Sequence, residues 1–494
     1  MHTAPRPGRC AWDVSDWTVL LAGVAVLSVA FALRLVGLSS QALWYDELQS
    51  ATFATLPLPE LIRSLLAFDP HPPVYYIQLH YWMLLGNSDF WIKLNSVFWS
   101  MLTTASLLAI GRKFANTRTA LAATAAFAIW PFAVSYAQEA RMYTLLMFLG
   151  LWSLFFAHRL LDGDGTWQTS LGAIISTSLF LYSQGAGFMI LVSLLTYGFY
   201  SLIGRRFRPD KAFIRWLNVQ LIVLLLYLPW LVRSRGISLQ HIILPGIREV
   251  ADVFVVLAFG FIKPFPGAFQ VIGLGLLVLI TGFVVIRDRS SRPMVVSTVI
   301  TPVIVAISIS YLIRPIWHYR TLAYIAPFLC LTSASALLEL RKSSAERTAM
   351  GRLARYSVPV AFSAMLLWAL SRQEQTLYEP WDIRSAVRFL QKTAGTEETI
   401  YVPIRSMFWS LSWYLAGPGS VNPLSTNYLI TTREGLQITS QTPPADPAGA
   451  GQTIWFVHLE HDQLALPENW WRDNVLDFNQ LRLEHARAAA GNPP

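Results

Sequence analysis

Cysteine is nearly absent: the 494 residues contain two, Cys10 and Cys330. One lies in the N-terminal tail and the other inside an apolar run, so neither a disulfide framework nor a metal-thiolate site is available. Charge is scarce as well. Charged residues make up 14% of the chain and hydrophobic ones 54%, which excludes an ordinary soluble domain and fits a polytopic helical membrane protein. A Gly-rich phosphate loop of the kind soluble nucleotide-sugar enzymes use is missing, and so are internal repeats. The 38 Lys and Arg outnumber the 29 Asp and Glu, but they recur in short clusters between apolar runs and form no single patch, so no nucleic-acid partner is implied.

What is present is a series of apolar runs near the roughly 17 to 25 residues that cross a bilayer. They fall at 17–38, 92–111, 118–136, 142–160, 168–185, 186–204, 213–233, 267–286, 294–312, 320–340 and 355–371, and predict about eleven transmembrane helices. The clusters Arg112/Lys113/Arg118, Arg205/Arg206/Arg208/Lys211, Arg287/Arg289/Arg292 and Arg341/Lys342/Arg347/Arg352/Arg355 share one side if the runs alternate, and the positive-inside rule makes that side cytoplasmic. The N-terminus is then cytoplasmic, and residues 46–47, 136–143, 234–266 and everything after about 372 face the periplasm or exterior. The first run is too long for a cleaved signal peptide and carries Arg34 at its outer end, so it reads as a true span with Arg34 as a snorkelling anchor.

Outside the spans, 58–68 and 74–85 read as amphipathic helices lying in the membrane interface, and 250–261 as a third. Two domains result: a transmembrane domain over 1–372 and a small α/β outer domain over 373–494. Within the second, 382–391 reads as helix, 399–403 and 453–457 as buried strands, and 418–452 as loop. Trp470-Trp471 suits that domain's core better than a sugar-stacking role.

Asp46 and Glu47 stand a few residues beyond the first span. Adjacent acids at a membrane boundary suggest a proton acceptor or a cation ligand at the aqueous edge, against the plain reading of a solvated loop. Glu139 and Arg141, in the turn Tyr136-Ala137-Gln138-Glu139-Ala140-Arg141-Met142-Tyr143, need partners: each other, the first outer loop, or a ligand. Lys93, Arg233, Arg235, Lys263, Arg314 and Arg320 lie on the side that topology does not require to be basic, as a site for a lipid-linked phosphate would demand.

The order of these segments carries a resemblance. An outer Asp-Glu, then His71-Pro72-Pro73, the Gln-Glu-Ala-Arg-Met-Tyr turn, Leu228-Pro229-Trp230, His318-Tyr319-Arg320 and Trp381-Asp382 resemble the GT-C glycosyltransferases related to protein O-mannosyltransferases and the lipid A aminoarabinose transferase. Two positions depart from that pattern: Tyr182-Ser183-Gln184 where relatives carry Tyr-Thr-His, and Lys93 where they carry Arg.

The resemblance implies a GT-C fold in the inner membrane of a bacterial cell. It implies transfer of a sugar from a polyprenyl-phosphate donor to a lipid, glycan or protein acceptor on the outer face, with inversion. Asp46 would be the general base, and Glu47 would orient the acceptor or support Asp46. His71, Lys93, Arg141 and Arg320 would bind the donor phosphate, with Asp69, Glu139, Tyr143 and Tyr182 supporting them. Alternatively Asp46 and His71 would hold a divalent metal, Mg, Mn or Zn. The rival readings are a lipid-linked glycan flippase or transporter and a non-catalytic partner in envelope polysaccharide assembly. A flippase needs polar groups along its whole path, whereas the charges here cluster at one boundary.

Overall fold

The computed structural model describes residues 14–233, 244–261, 267–343, 349–373, 382–395, 398–421, 423, 429–432, 435–440, 453–459, 470–478 and 481–488. Helix α1 (Val14–Leu35) is followed by three short helices, α2 (Tyr45–Thr55), α3 (Leu58–Phe68) and α4 (Val74–Met83), and by the long α5 (Asp89–Phe114). The expected interfacial helices are α3, α4 and α12 (Ile247–Phe259). Pro57 and Pro59 at the start of α3 pre-set the first turn where a missing N–H costs nothing. Asn116 and Ser88 cap their helices by accepting from Thr119 and Trp91 N–H.

The run expected over 118–136 is one bent element. Helices α6 (Thr117–Ile129) and α7 (Pro131–Ala137) meet at 59°. Pro131 has no N–H for the carbonyl of Phe127 and forces the break. Arg34 fills the gap: its guanidinium donates to Phe127 O at 3.2 Å, Ala128 O at 3.1 Å and Ser100 Oγ at 2.7 Å, and it is fully buried. Arg34 is therefore not a snorkelling anchor. A broken helix inside an apolar bundle needs donors for its freed carbonyls, and Arg34 supplies them.

The remaining bundle helices are α8 (Tyr143–Leu161), α9 (Trp167–Leu181), α10 (Met189–Gly204), α11 (Lys211–Arg233), α13 (Gly267–Arg287), α14 (Arg292–Val295), α15 (Thr301–Leu312), α16 (Ala326–Ser343) and α17 (Ala349–Ser371), with a π-helical turn over Val296–Ile300 joining α14 to α15. Every expected apolar run is helical, but the count of eleven crossings is not supported. Among the described residues six helices are long and apolar enough to cross a membrane, or up to seven if the bent pair is one span. Helices α9 and α10, with 15 and 16 residues, are shorter than the roughly 20 that a perpendicular crossing takes.

After 381 the chain builds a sheet. Helix α18 (Ile383–Thr393), capped by Asp382 accepting from Ser385 N, is followed by β1 (Thr399–Tyr401), α19 (Arg405–Ala416), β2 (Leu429–Thr431), β3 (Gln437–Thr439), β4 (Thr453–Leu459), β5 (Trp470–Phe478) and β6 (Leu481–Ala488). The strand order is β2-β3-β1-β4-β6-β5, with β1 parallel to both β3 and β4 and the other pairs antiparallel. Buried Ile383, Leu390, Ile400, Met407, Leu411 and Trp455 form the core between helices and sheet. Trp470 is buried against Tyr401, Ile454 and Phe456, the core position expected of it. Trp381 and Arg235 lie outside the described residues, as does Lys263.

Two helices, α2 and α19, lie outside every element expected from the sequence, and they pack on each other. Trp413 of α19 joins Leu43, Leu48, Ala51, Ile92 and Ala140 in one buried cluster. That contact seats the polar end of the helical bundle.

Candidate active site

The acid pair is not in a loop. Asp46 and Glu47 occupy the first turn of α2, where the unsatisfied N–H groups and the helix dipole favour carboxylates. Glu47 reaches back to accept from Trp44 N at 3.1 Å, and its other oxygen accepts from Ala140 N at 2.6 Å. Lys93 Nζ lies 3.6 Å from the same carboxylate. Glu47 is 1% exposed; burial pushes its carboxyl up, while Lys93 and the two backbone N–H groups oppose the shift. Every oxygen of Glu47 is thus committed to the fold.

Asp46 is held differently. Its Oδ2 accepts from Arg320 Nη1 at 2.9 Å, with the two side chains 21% and 24% exposed. Arg320 also lies over the Trp44 ring at 5.0 Å, a cation–π contact that holds the guanidinium beside the acid. Arg141 reaches the same turn from below: its Nη1 donates to Asp46 O at 3.1 Å and to Ser50 Oγ at 2.7 Å. Ser50 in turn donates to Asp46 O at 2.9 Å. Asp46 is therefore the acid of the pair that faces open space, with one guanidinium on its carboxylate and another on its backbone.

His71 and Asp69 form a second group. Asp69 accepts from His71 N at 2.7 Å and from Tyr76 Oη at 3.0 Å. His71 Nδ1 accepts from Gly185 N at 3.1 Å, so a neutral ring carries its proton on Nε2 and presents that nitrogen as a donor. Burial, with the nearby Arg141 charge, lowers His71 to about 3. A side chain at position 185 would meet Pro70 O at 2.9 Å, which is why glycine stands there. Gln184, in the place of the family's histidine, donates to Arg320 O at 3.1 Å, and Tyr182 O accepts from Val74 N at 2.9 Å. The segment 182–185 thus bolts the His71 turn to the Arg320 turn. Tyr182's own phenol donates to Leu226 O, so its contribution to the site is its backbone. Tyr143 is buried edge-on to Tyr136 at 4.6 Å between ring centres.

Glu139 is buried, and its Oε1 finds no hydrogen-bond partner in the structure. Burial raises its carboxyl to about 8, against the pull of Arg320, so the acid is protonated at neutral pH. Its folded pKa lies above the unfolded value near 4.5, so its contribution to stability is full below that value and is lost as the pH rises towards 8. We expect the melting temperature of the wild type to decline over that window, and the decline to be reduced in Glu139→Gln, whose neutral amide mimics the protonated acid. Identical melting-temperature profiles for the two proteins from pH 5 to 9 would show that Glu139 ionises freely.

The sequence brings eight of its ten named residues into these contacts: Asp46, Glu47, Asp69, His71, Lys93, Arg141, Tyr182 and Arg320. Ser50, Gly185 and Trp44 were not foreseen. Ser50 stands one helical turn from Asp46, and that spacing would have identified it had α2 been recognised. As a metal site the residues fit poorly. Among the described residues no three His, Cys, Asp or Glu gather closely enough to hold an ion, and His71 Nδ1 is already engaged by Gly185.

A bundle of apolar helices with a cation-rich acid cluster at one end, closed by a small mixed sheet, is the architecture of the GT-C glycosyltransferases. The structure of ArnT from Cupriavidus metallidurans bound to undecaprenyl phosphate superimposes with a TM-score of 0.61 over 98% of this chain and 100% of that one, at 15% identity. The archaeal oligosaccharyltransferase AglB from Archaeoglobus fulgidus, in complex with an inhibitory peptide and a dolichol-phosphate, gives 0.51 over 81% of this chain and 63% of that one, at 12% identity. The resemblance read from the sequence holds: the chain has the GT-C fold. The family model that matches it is dolichyl-phosphate-mannose-protein mannosyltransferase, over residues 70–232. No curated protein matches the sequence.

Proposed function

We propose that the protein is an integral membrane glycosyltransferase that moves a sugar from a polyprenyl-phosphate donor to a hydroxyl acceptor on the outer face of a bacterial inner membrane. The observation that carries this reading is the Asp46–Arg320 pair: a part-exposed carboxylate against a guanidinium, with Arg141 and His71 close behind. In that chemistry the acceptor oxygen attacks the anomeric carbon and the carbon–oxygen bond to the phosphate breaks. The acceptor proton passes to Asp46, and the departing polyprenyl phosphate takes the bonding electron pair. Arg320, Arg141 and the Nε2–H of His71 stabilise its growing charge. Proton removal as the new bond forms spares Asp46 from ionising a hydroxyl beforehand. Glu47, locked by the fold, supports α2. The N-terminus is then cytoplasmic and the sheet-bearing segment periplasmic.

Arg320→Lys should weaken binding of undecaprenyl phosphate, used as the probe, by about tenfold, because a point charge replaces a planar fork. Unaltered affinity in detergent-solubilised Arg320→Lys protein would remove Arg320 from the phosphate site. The reading as a whole is tested in cells: deletion should erase one sugar from the envelope glycans while an isoprenoid-phosphate sugar of the same mass builds up on the periplasmic face. Accumulation on the cytoplasmic face instead would favour a flippase.

A further inference from the structure

Arg384 and Tyr414 lie in the sheet-bearing segment, on α18 and α19, yet both reach the stretch of chain that runs from α1 into α2. Arg384 donates to Ser39 O at 2.8 Å, to Ser40 O at 3.4 Å and to Gln41 O at 2.9 Å, and pairs with Asp89. Tyr414 Oη accepts from Leu43 N at 2.8 Å and donates to Asp89 Oδ2 at 2.9 Å. Asp89 opens α5, which one turn later carries Lys93, the partner of Glu47. Lys93 Nζ also donates to Gln41 O at 3.5 Å. The buried Trp413 packs on Leu43, Leu48 and Ala51.

We propose that Arg384, Tyr414 and Asp89 are positioning residues that hold the N-terminal turn of α2, and with it Asp46, through the carbonyls and the N–H of residues 39–43. The proposal rests on the reading of Asp46 as the base. The planar fork of Arg384 spans three successive carbonyls, a geometry that a lysine cannot reproduce. The hydroxyl of Tyr414 is at once acceptor and donor, so its loss leaves Leu43 N–H and Asp89 each one bond short. The segment after 381 thereby acts on the chemistry without touching the substrate.

The test uses full-length wild type, Tyr414→Phe, Arg384→Gln and Arg384→Lys in lipid nanodiscs. Amide hydrogen exchange over 44–50 should speed up by about tenfold or more in Tyr414→Phe and Arg384→Gln, with helix α8 unchanged. Envelope sugar transfer in cells should fall by about 10- to 100-fold, as expected of a misplaced reacting group. Undecaprenyl phosphate affinity should stay within about twofold, since the phosphate groups sit on other elements. Arg384→Lys should recover part of both losses. Normal transfer with unchanged exchange over 44–50 would overturn the proposal, and so would faster exchange spread evenly through the chain, which marks a purely structural role. If exchange over 44–50 rises as expected but Asp46→Asn leaves the envelope glycans intact, the clamp on α2 stands and the transferase reading fails.

Discussion

Asp46→Asn should lower sugar transfer by roughly 10²- to 10⁴-fold, the range of a lost general base, while the protein stays folded and inserted. The side chain makes one ion pair, with Arg320, and both partners are partly exposed. Pairs of that kind add little to stability. The bonds that fix the turn go to the backbone carbonyl of residue 46, from Arg141 and Ser50, and asparagine keeps them. Its amide oxygen can still accept from Arg320 but cannot take a proton from the acceptor. A transfer assay run beside a melting curve separates the two effects. A variant that melts like the wild type and transfers sugar at the wild-type rate would mean that Asp46 is not the base.

Glu47→Ala should act in the opposite way, as a loss of stability of about 3–5 kcal/mol, the cost of stranding one member of a buried pair. Lys93, 6% exposed at its side chain, would keep its charge with no carboxylate beside it, and Trp44 N–H and Ala140 N–H would lose their acceptor. Glu47→Gln retains an accepting oxygen and should cost about 1–3 kcal/mol. Adding Lys93→Ala to Glu47→Ala removes the stranded charge and should recover part of the loss. Equilibrium unfolding in mixed micelles gives the three values. Equal stability of Glu47→Ala and wild type would show that the acid is not structural and would return it to the reaction.

The membrane helices were legible because apolar length is a one-dimensional signal, and the interfacial helices α3 and α4 because Pro57, Pro59 and Pro73 mark their starts. The identity of most site residues was legible from charge on the wrong side of the membrane. The partners were not. Glu47 pairs with Lys93 and Asp46 with Arg320 across gaps of 46 and 274 residues, and no local pattern records such distances. Arg34 was misread because position in the chain suggested the membrane edge, whereas its role depends on the break that Pro131 makes in another helix. Helix α2 was missed because Tyr-Asp-Glu reads as a polar loop until Glu47 is seen bonded back to Trp44 N–H. Glu139 was named, but its protonation follows from burial, which no sequence pattern gives.

The measurement that tests the account most directly is mass spectrometry of envelope glycolipids and polysaccharides from three strains: wild type, deletion and Asp46→Asn. The account predicts that one sugar is missing from both defective strains and that an isoprenoid-phosphate sugar of the same mass accumulates in each. A glycan change in the deletion that Asp46→Asn does not reproduce would contradict it, and would make the protein a transporter or assembly partner with a carboxylate that only holds Arg320.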